Sequence, residues 1–297
     1  MSYSTFSADC FEWLQRAEPK SIHAVLTDPP YGIVEFTKRE LDKLRAGVGG
    51  VWRIPPSIGG SVRKPLPRFT VLSADQRAAV EDFFTEWARL LKPVLVPGAH
   101  VLVATNVLLS SKVQSGLENA GLEYRGQLIR LYRGFRGGDR PKGAEEEFPN
   151  VSVMMRGAYE PWLLFRNPIE DRLTVADNLR KWGTGALRRP ERDKPATDVL
   201  VSKRTPQAER AICDHPTLKP QALLRPLVRM LLPLGEGVVL DPFMGSGSTI
   251  AAAKALGYSA TGIELDEQYF ALAQKAIPKL AEISVAGEFD EVQCQLF

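Results

Sequence analysis

Short apolar runs alternate along the chain with longer segments in which apolar residues recur at helical spacing. The runs at residues 22–27 and 237–240 are mostly apolar and are typical of strands buried on both faces. Residues 73–91 predict a helix, and a Pro97-Gly98 turn precedes a predicted buried strand at 100–105. The other predicted strands lie at 3–7, 128–132, 162–165 and 260–265, and the other helices at 10–17, 110–120, 220–232, 248–256 and 266–283. This alternation predicts an α/β fold with a doubly wound, mostly parallel sheet covered on both faces.

Two segments interrupt the alternation of strands and helices. Residues 35–72 contain nine Gly or Pro residues, a density that argues against regular elements and predicts a long loop. Residues 166–212 have weak periodicity, several prolines and abundant arginine, and we expect them to form an inserted small domain. The segments 1–165 and 213–297 would then be two parts of one larger domain.

Composition and cysteine usage favour a globular protein of a reducing compartment. Hydrophobic residues make up 44% and charged residues 25% of the 297 residues, both ordinary values. No apolar stretch approaches the roughly 18–20 residues needed to cross a bilayer, and the N-terminus lacks the features of a secretion signal. The three cysteines are scattered, which argues against a disulfide framework or a zinc site and favours the cytoplasm.

Positive charge is concentrated in loop-like segments although the net charge is only +3. Residues 35–72 carry eight Lys or Arg against three Asp or Glu, and residues 125–142 carry six against one. Residues 166–210 are also net basic. Such segregation is typical of a protein that binds a polyanion, and the alternative for any one segment is an ordinary solvated loop.

A glycine-rich turn follows the predicted strand at 237–240 and leads directly into a helix. In Gly245-Ser246-Gly247 the side chains are minimal, so the backbone can approach a ligand closely beside free helix N–H groups. Glu264 follows Gly245 by 19 residues, close to the ~20-residue gap at which an acid meets ribose hydroxyls. Asp241 beside the ligand favours a sulfonium and an ammonium over a pyrophosphate. The pattern predicts S-adenosylmethionine; the alternative is a tight strand-to-helix connection.

A second motif, Asp28-Pro29-Pro30-Tyr31, follows the predicted strand at 22–27. The two prolines stiffen the turn, so that the Asp28 carboxylate and the Pro29 carbonyl can be aimed at the two N–H groups of an exocyclic amine. Tyr31 offers a face on which a base can stack. Such a base would have to be flipped out of a duplex. The alternative is a turn with an Asp at the end of a strand.

The two motifs in this order resemble amino-group DNA methyltransferases of the permuted beta class, in which a D-P-P-Y element precedes the S-adenosylmethionine loop. Here 217 residues separate Asp28 from Gly245, and the resemblance covers most of the chain. It implies catalytic roles for Asp28, Pro29, Pro30 and Tyr31. It also implies contacts with the cofactor for Asp9, Asp28, Thr217, Lys219, Asp241, Phe243, Gly245, Ser246, Gly247, Ser248, Thr249 and Glu264.

The resemblance also implies an architecture and a partner. We expect a Rossmann-like, seven-stranded sheet with one antiparallel edge strand, the catalytic part in residues 1–165 and the cofactor-binding part in residues 213–297. The insert at 166–212 occupies the place of a target-recognition segment. Its bases Arg188, Arg189, Lys203 and Arg204 could contact double-stranded DNA. The long segment 35–72 departs from the family pattern.

These features lead to the expectation of a cytoplasmic, bacterial or phage-encoded enzyme of restriction–modification type that methylates adenine N6. Cytosine N4 and an RNA base remain alternatives, since the first residue of the tetrapeptide, Asp28, only favours adenine. A DNA-binding regulator would have no use for an amine-holding turn. A dehydrogenase would need a third glycine and a hydride-transfer acid. Methyl transfer from a sulfonium requires positioning and electrostatics, so we expect no metal.

The C-terminus and the oligomeric state give two further expectations. The tail at 293–297 has the Gln-x-x-Leu-Phe form of peptides that bind bacterial sliding clamps, with Gln293, Leu296 and Phe297 as contacts. A final strand or an ordinary packing residue is the alternative. A homodimer is also expected from the resemblance.

Overall fold

The computed structural model describes residues 2–30, 57–58, 61–62, 72–132, 140–213, 215 and 218–285. The strands are β1 (Tyr3–Ser7), β2 (Ile22–Thr27), β3 (Ser57–Ile58), β4 (Ser61–Val62), β5 (Leu95–Ala104), β6 (Glu123–Leu131), β7 (Tyr159–Arg166), β8 (Val199–Val201), β9 (Val238–Asp241) and β10 (Ser259–Glu264). The helices are α1 (Cys10–Arg16), α2 (Ala74–Val94), α3 (Ser110–Asn119), α4 (Val175–Trp182), α5 (Gln207–Ile212), α6 (Gln221–Leu231), α7 (Ser248–Ala255) and α8 (Glu267–Ala281). None of these helices is both long and apolar enough to span a membrane.

One large sheet organises the described part of the chain. Its strand order is β1-β10-β9-β2-β5-β7-β6-β8, and the first five strands run parallel to one another. Strand β7 is antiparallel to both of its neighbours, and β8 is parallel to β6. The expected α/β fold with a mostly parallel sheet is confirmed. The expected strand count of seven and the edge position of the antiparallel strand are wrong, because β8 adds an eighth strand and β7 lies inside the sheet.

The two segments that interrupt the sequence pattern contribute regular structure after all. Within residues 166–212, α4 packs near β5, and β8 extends the main sheet beyond β6. The segment is therefore built into the main domain, and its three-residue strand is too short to show a period. Within residues 35–72, β3 pairs with β4 in an antiparallel ladder. Apart from these four residues and Leu72, the predicted loop lies outside the described residues.

Helices cover both faces of the sheet, as the apolar runs predict. One apolar cluster joins α6, α7 and α8 to the sheet, and the other joins α1, α2 and α3. In β2, Ala24 and Leu26 belong to the first cluster and Val25 to the second, because successive side chains of a strand point to opposite faces. With both faces apolar, polar side chains are left to the ends of the strands.

The predicted turn at Pro97-Gly98 lies inside β5 instead of before it. Ile22 pairs with Leu95 and Ala24 with His100, so β5 bulges between these pairs, and Gly98 takes a positive φ of 82° there. The buried Asn178 side chain on α4 binds this bulge. Its Nδ2 donates to the Pro97 carbonyl at 3.0 Å and to the Thr184 carbonyl at 2.8 Å.

We expect Asn178→Ala to lower the free energy of unfolding by about 2–4 kcal/mol, because the Thr184 carbonyl and the Glu170 N–H lose their side-chain partner. Urea denaturation measures the change. Asn119→Ala is the matched control, since Asn119 is exposed and its effect should stay within about 0.5 kcal/mol. Equal losses in the two variants would contradict this role of Asn178.

Candidate active site

The candidate site lies beside β2 and β9, two neighbouring parallel strands from which the chain crosses over to opposite sides. From β9 the chain crosses to β10 on one side, whereas from β2 it crosses to β5 on the other. Such a switch point leaves a crevice at the carboxyl ends of the strands. Asp28 directly follows β2, and Asp241 ends β9. The hydroxyl of Thr27 donates to Asp241 Oδ1 at 2.7 Å, which ties the two strand ends together.

The glycine turn has a geometry that other residues would disturb. Gly245 and Gly247 have φ values of 50° and 75°, in the left-handed region that favours glycine. A Cβ on Gly247 would lie 2.5 Å from Cγ1 of Ile277, and one on Gly245 would lie 3.2 Å from the His215 ring. Gly245 thus borders the hollow beside the His215 ring, whereas Gly247 lets the turn pack closely against Ile277 of α8.

A buried acid lies beneath the glycine turn. Asp241 is 3% exposed and accepts bonds from Thr27, from Thr249 and from the Phe243 N–H. Burial raises the pKa of Asp241 to about 6, although these hydrogen bonds act in the opposite direction. At pH 7 the group is therefore ionised but poorly hydrated, a state that a cationic ligand would stabilise.

Two further acids line the same edge of the sheet. Glu264, at the end of β10, accepts from the Gly245 N–H through Oε2 at 2.9 Å and from the Asp266 N–H through Oε1 at 2.9 Å. Burial raises the pKa of the Glu264 carboxyl. Asp9 lies just beyond β1, whose Ser7 pairs with Glu264, and its Oδ1 caps α1 by accepting from the Phe11 N–H at 2.7 Å. Both acids are held by backbone N–H groups near the turn.

Asp28 belongs to a cluster of four charged side chains, here called the charge cluster: Asp28, Glu160, Lys219 and Arg130. Lys219 Nζ lies 2.6 Å from Asp28 Oδ2 and 3.2 Å from Glu160 Oε1. Arg130 Nη1 lies 3.1 Å from Glu160 Oε2. Exposed fractions of the four side chains range from 5% for Arg130 to 27% for Asp28. The cluster is thus largely shielded from water, which strengthens its Coulombic interactions.

The charges in the cluster shift one another's protonation. Burial, together with the nearby Glu160, raises the pKa of Asp28 against the attraction of Lys219 and Arg130. Burial alone would lower the pKa of Lys219, but Asp28 and Glu160 outweigh it and the pKa is raised. For Glu160 burial is outweighed by Lys219 and Arg130, so that its pKa is lowered. Lys219 and Glu160 are therefore a firmly charged pair, and Asp28 is the member most easily protonated.

The two sequence motifs meet in one hollow of about 350 Å³, a volume that includes space open to solvent. The lining residues are Asp28, Trp162, His215, Lys219, Leu224, Asp241, Phe243, Met244, Gly245, Ser246, Ser248 and Thr249. Pro29 is buried and Pro30 exposed beside it, whereas Tyr31 and Thr217 lie outside the described residues.

Comparison with known proteins assigns the chain to a family. The sequence profile described as DNA methylase (N6_N4_Mtase) matches residues 22–275. The chain belongs to this family. The type II methyltransferase M2.DpnII of Streptococcus pneumoniae is 25% identical over 274 residues, which cover 91% of this chain and 87% of the relative.

Solved structures share the fold of this DNA methylase. The M1.HpyAVI–SAM complex superposes with a TM-score of 0.56 at 18% identity, covering 93% of this chain and 99% of the other. PvuII DNA methyltransferase, which is cytosine-N4-specific, gives a TM-score of 0.59 at 14% identity, with 95% and 92% covered. At these identities the likeness concerns the fold alone.

Several residues of the candidate site were not predicted from the sequence, namely Glu160, Arg130 and Trp162, and also His215, Leu224 and Met244 in the lining of the hollow. Trp162 Nε1 donates to Glu160 Oε2 at 3.0 Å, and both residues belong to β7. Because β7 is antiparallel, its first residues lie at the edge where the parallel strands end. The acid Glu160 at the start of an apolar run could have indicated a site residue, but only if the direction of the strand were known.

The four basic residues proposed for DNA contact divide between the two edges of the sheet. Arg188 Nη1 donates to Tyr258 Oη at 3.2 Å and lies close to Gly235. Tyr258 precedes the start of β10, and Gly235 precedes the start of β9. Arg188 and its exposed neighbour Arg189 are therefore at the edge away from the hollow, and DNA contact by these two residues stays a prediction. Lys203 and Arg204 follow the end of β8 and are exposed at the edge of the hollow.

We expect Gly247→Ala to lower the free energy of unfolding by roughly 2–5 kcal/mol. About 1–2 kcal/mol comes from the left-handed backbone and the rest from the clash with Ile277. Gly257→Ala is a matched control, because Gly257 has a φ of 74° but no atom within 4 Å of the added Cβ. Chemical denaturation of both variants isolates the clash, and equal losses would show that Ile277 yields to the added methyl group at no cost.

Proposed function

We propose that this DNA methylase transfers a methyl group from S-adenosylmethionine to the N6 amine of adenine in duplex DNA, after the base has flipped out of the helix. The observation that carries the proposal is the shared hollow. Asp28, which can hold an amine, and the turn at 245–249, which can cradle a nucleoside, line the same space.

The residues present fit S-adenosylmethionine. Gly245 lines the hollow without a side chain, Glu264 presents a carboxylate beside the turn, and the buried Asp241 favours a cation. The residues that would hold it are Asp9, Asp241, Phe243, Gly245, Ser246, Gly247, Ser248, Thr249 and Glu264, with Thr217 and Lys219 from the preceding segment. When bound, it supplies a methyl group on a sulfonium, which an amine nitrogen can attack directly.

The amine is oriented by the turn at residues 28–31. The Asp28 carboxylate accepts one N–H of the amine and the Pro29 carbonyl accepts the other, which draws the nitrogen lone pair out of conjugation with the ring. Tyr31 stacks on the base. In transfer to the amine so held, the sulfur would keep the electron pair of the broken S–C bond and the nitrogen would lose one proton to solvent. No strong general base is needed, since the methylated amine is acidic at that stage.

Adenine is preferred over cytosine N4 because the amine-holding tetrapeptide begins with an acid, Asp28. Cytosine N4 is the second candidate, and an RNA base is less favoured. The structural likeness to the cytosine-N4-specific PvuII enzyme gives no preference, because it extends to the fold alone.

Duplex DNA is the expected macromolecular partner, with Lys203 and Arg204 near its phosphates. Segment 166–212 supplies these bases and would serve in target recognition. A restriction–modification context, a homodimer and clamp binding through Gln293, Leu296 and Phe297 stay predictions, and the tail lies outside the described residues.

Nucleoside analysis of methylated DNA tests the base assignment. Unmodified genomic DNA is incubated with the protein and labelled S-adenosylmethionine, digested to nucleosides and separated. We expect the label in N6-methyl-2′-deoxyadenosine. Label in N4-methyl-2′-deoxycytidine would replace adenine by the second candidate. In a parallel incubation with RNA, label in the RNA together with unlabelled DNA would overturn DNA as the substrate.

We expect Asp28→Ala to reduce kcat by at least about 100-fold, since an aimed acceptor for the amine is lost. Single-turnover transfer to duplex DNA measures the change, and equilibrium binding of S-adenosylmethionine should persist. Asp82→Ala is the control, because Asp82 is an exposed acid on α2, outside the proposed recognition segment, and wild-type kcat is expected for it. Wild-type turnover by Asp28→Ala would remove the catalytic assignment.

A further inference from the structure

Glu160 is a buried acid whose carboxylate touches three groups of the site. Its Oε1 lies 3.2 Å from Lys219 Nζ, and its Oε2 accepts from Arg130 Nη1 at 3.1 Å and from Trp162 Nε1 at 3.0 Å. Its side chain is 14% exposed. Glu160 itself does not line the hollow, whereas Asp28, Lys219 and Trp162 do. An acid in this place acts on the hollow only through its neighbours.

The charge cluster is formally neutral, with two carboxylates against one ammonium and one guanidinium. Lys219 Nζ lies between the two carboxylates, 2.6 Å from Asp28 and 3.2 Å from Glu160. Without Glu160, Lys219 and Arg130 would outweigh Asp28 and leave the cluster with a net positive charge. Positive charge also develops on the amine nitrogen when it takes up a methyl group, so an excess of positive charge nearby would oppose the reaction.

We propose that Glu160 is a positioning residue for the methyl acceptor, one that holds Lys219 in place beside Asp28 and keeps the charge cluster from carrying a net positive charge next to the amine. The proposal rests on the proposed function of the same site. Glu160 is held in turn by Arg130 and Trp162, so its carboxylate is fixed from the side away from Lys219. The antiparallel direction of β7 is what brings this acid to the edge of the hollow.

Glu160→Gln is expected to lower kcat by about 10- to 100-fold, with a smaller change in KM for S-adenosylmethionine. The acid limb of the kcat–pH profile should move to lower pH. The sign follows from charge: Glu160 raises the pKa of Asp28 by repulsion, so its neutralisation lets Asp28 ionise at lower pH. A purely structural loss would lower kcat without moving this limb.

Removal of one partner from a buried ion pair can destabilise a protein, so a control variant and a second variant at position 160 are needed. Glu123→Gln neutralises another acid of the same sheet, whose Oε2 lies 2.8 Å from Arg166 Nε, and it should keep the wild-type pH profile. Glu160→Asp retains the charge but shortens the side chain. We expect a several-fold lower kcat with the acid limb near its wild-type position.

Carbon-13 NMR titration of the Asp28 carboxyl gives a readout that does not need turnover. We expect a lower pKa of Asp28 in Glu160→Gln than in the wild type and no change in Glu123→Gln. An unchanged Asp28 pKa together with wild-type kcat in Glu160→Gln would overturn the proposal. If Glu160→Gln does not fold, wild-type kcat in Glu160→Asp would overturn it. Failure of the proposed function would instead be seen as missing N6-methyladenine from the wild-type enzyme, whatever the NMR titration gives.

Discussion

The pairing of β2 with β9 is the constraint on which the site depends. These strands are distant in sequence but adjacent in the sheet, and the Thr27–Asp241 hydrogen bond joins residues 214 positions apart. Because the chain leaves the two strands in opposite directions, no crossover covers the space above their ends. Asp28 and the turn at 245–249 therefore face one hollow. Without this pairing each motif would be an ordinary turn.

Burial and charge act against each other in this hollow, and the outcome differs from residue to residue. Asp241 is buried with hydroxyl and N–H donors alone, and its pKa rises to about 6. Lys219 is also buried, yet two carboxylates keep it charged. A buried ion pair is favourable only when its geometry and its further hydrogen bonds offset the loss of hydration. Glu160 satisfies that condition through Lys219, Arg130 and Trp162.

Some of the site could be derived from local sequence because local sequence fixes its geometry. The spacing of 19 residues between Gly245 and Glu264 indicated an acid beside the turn, and Glu264 Oε2 accepts from the Gly245 N–H at 2.9 Å. Its contact with a ribose stays a prediction. The turn itself was recognised from its two glycines, and both take positive φ there. Glu160 could not be found in this way, since its place depends on the direction of β7. Composition likewise could not tell which edge of the sheet Arg188 occupies, because that depends on the contact of its guanidinium with Tyr258.

The sequence by itself determined the alternation of strands and helices, the two motifs and the chemistry each can perform, because these follow from periodicity, backbone restriction and side-chain type over a few residues. Tertiary structure alone decided the eighth strand, the internal position of β7 and the charge cluster around Lys219. These features depend on pairings between segments far apart in the chain. A three-residue strand or a lone acid carries no period, so only its partners in space reveal its place.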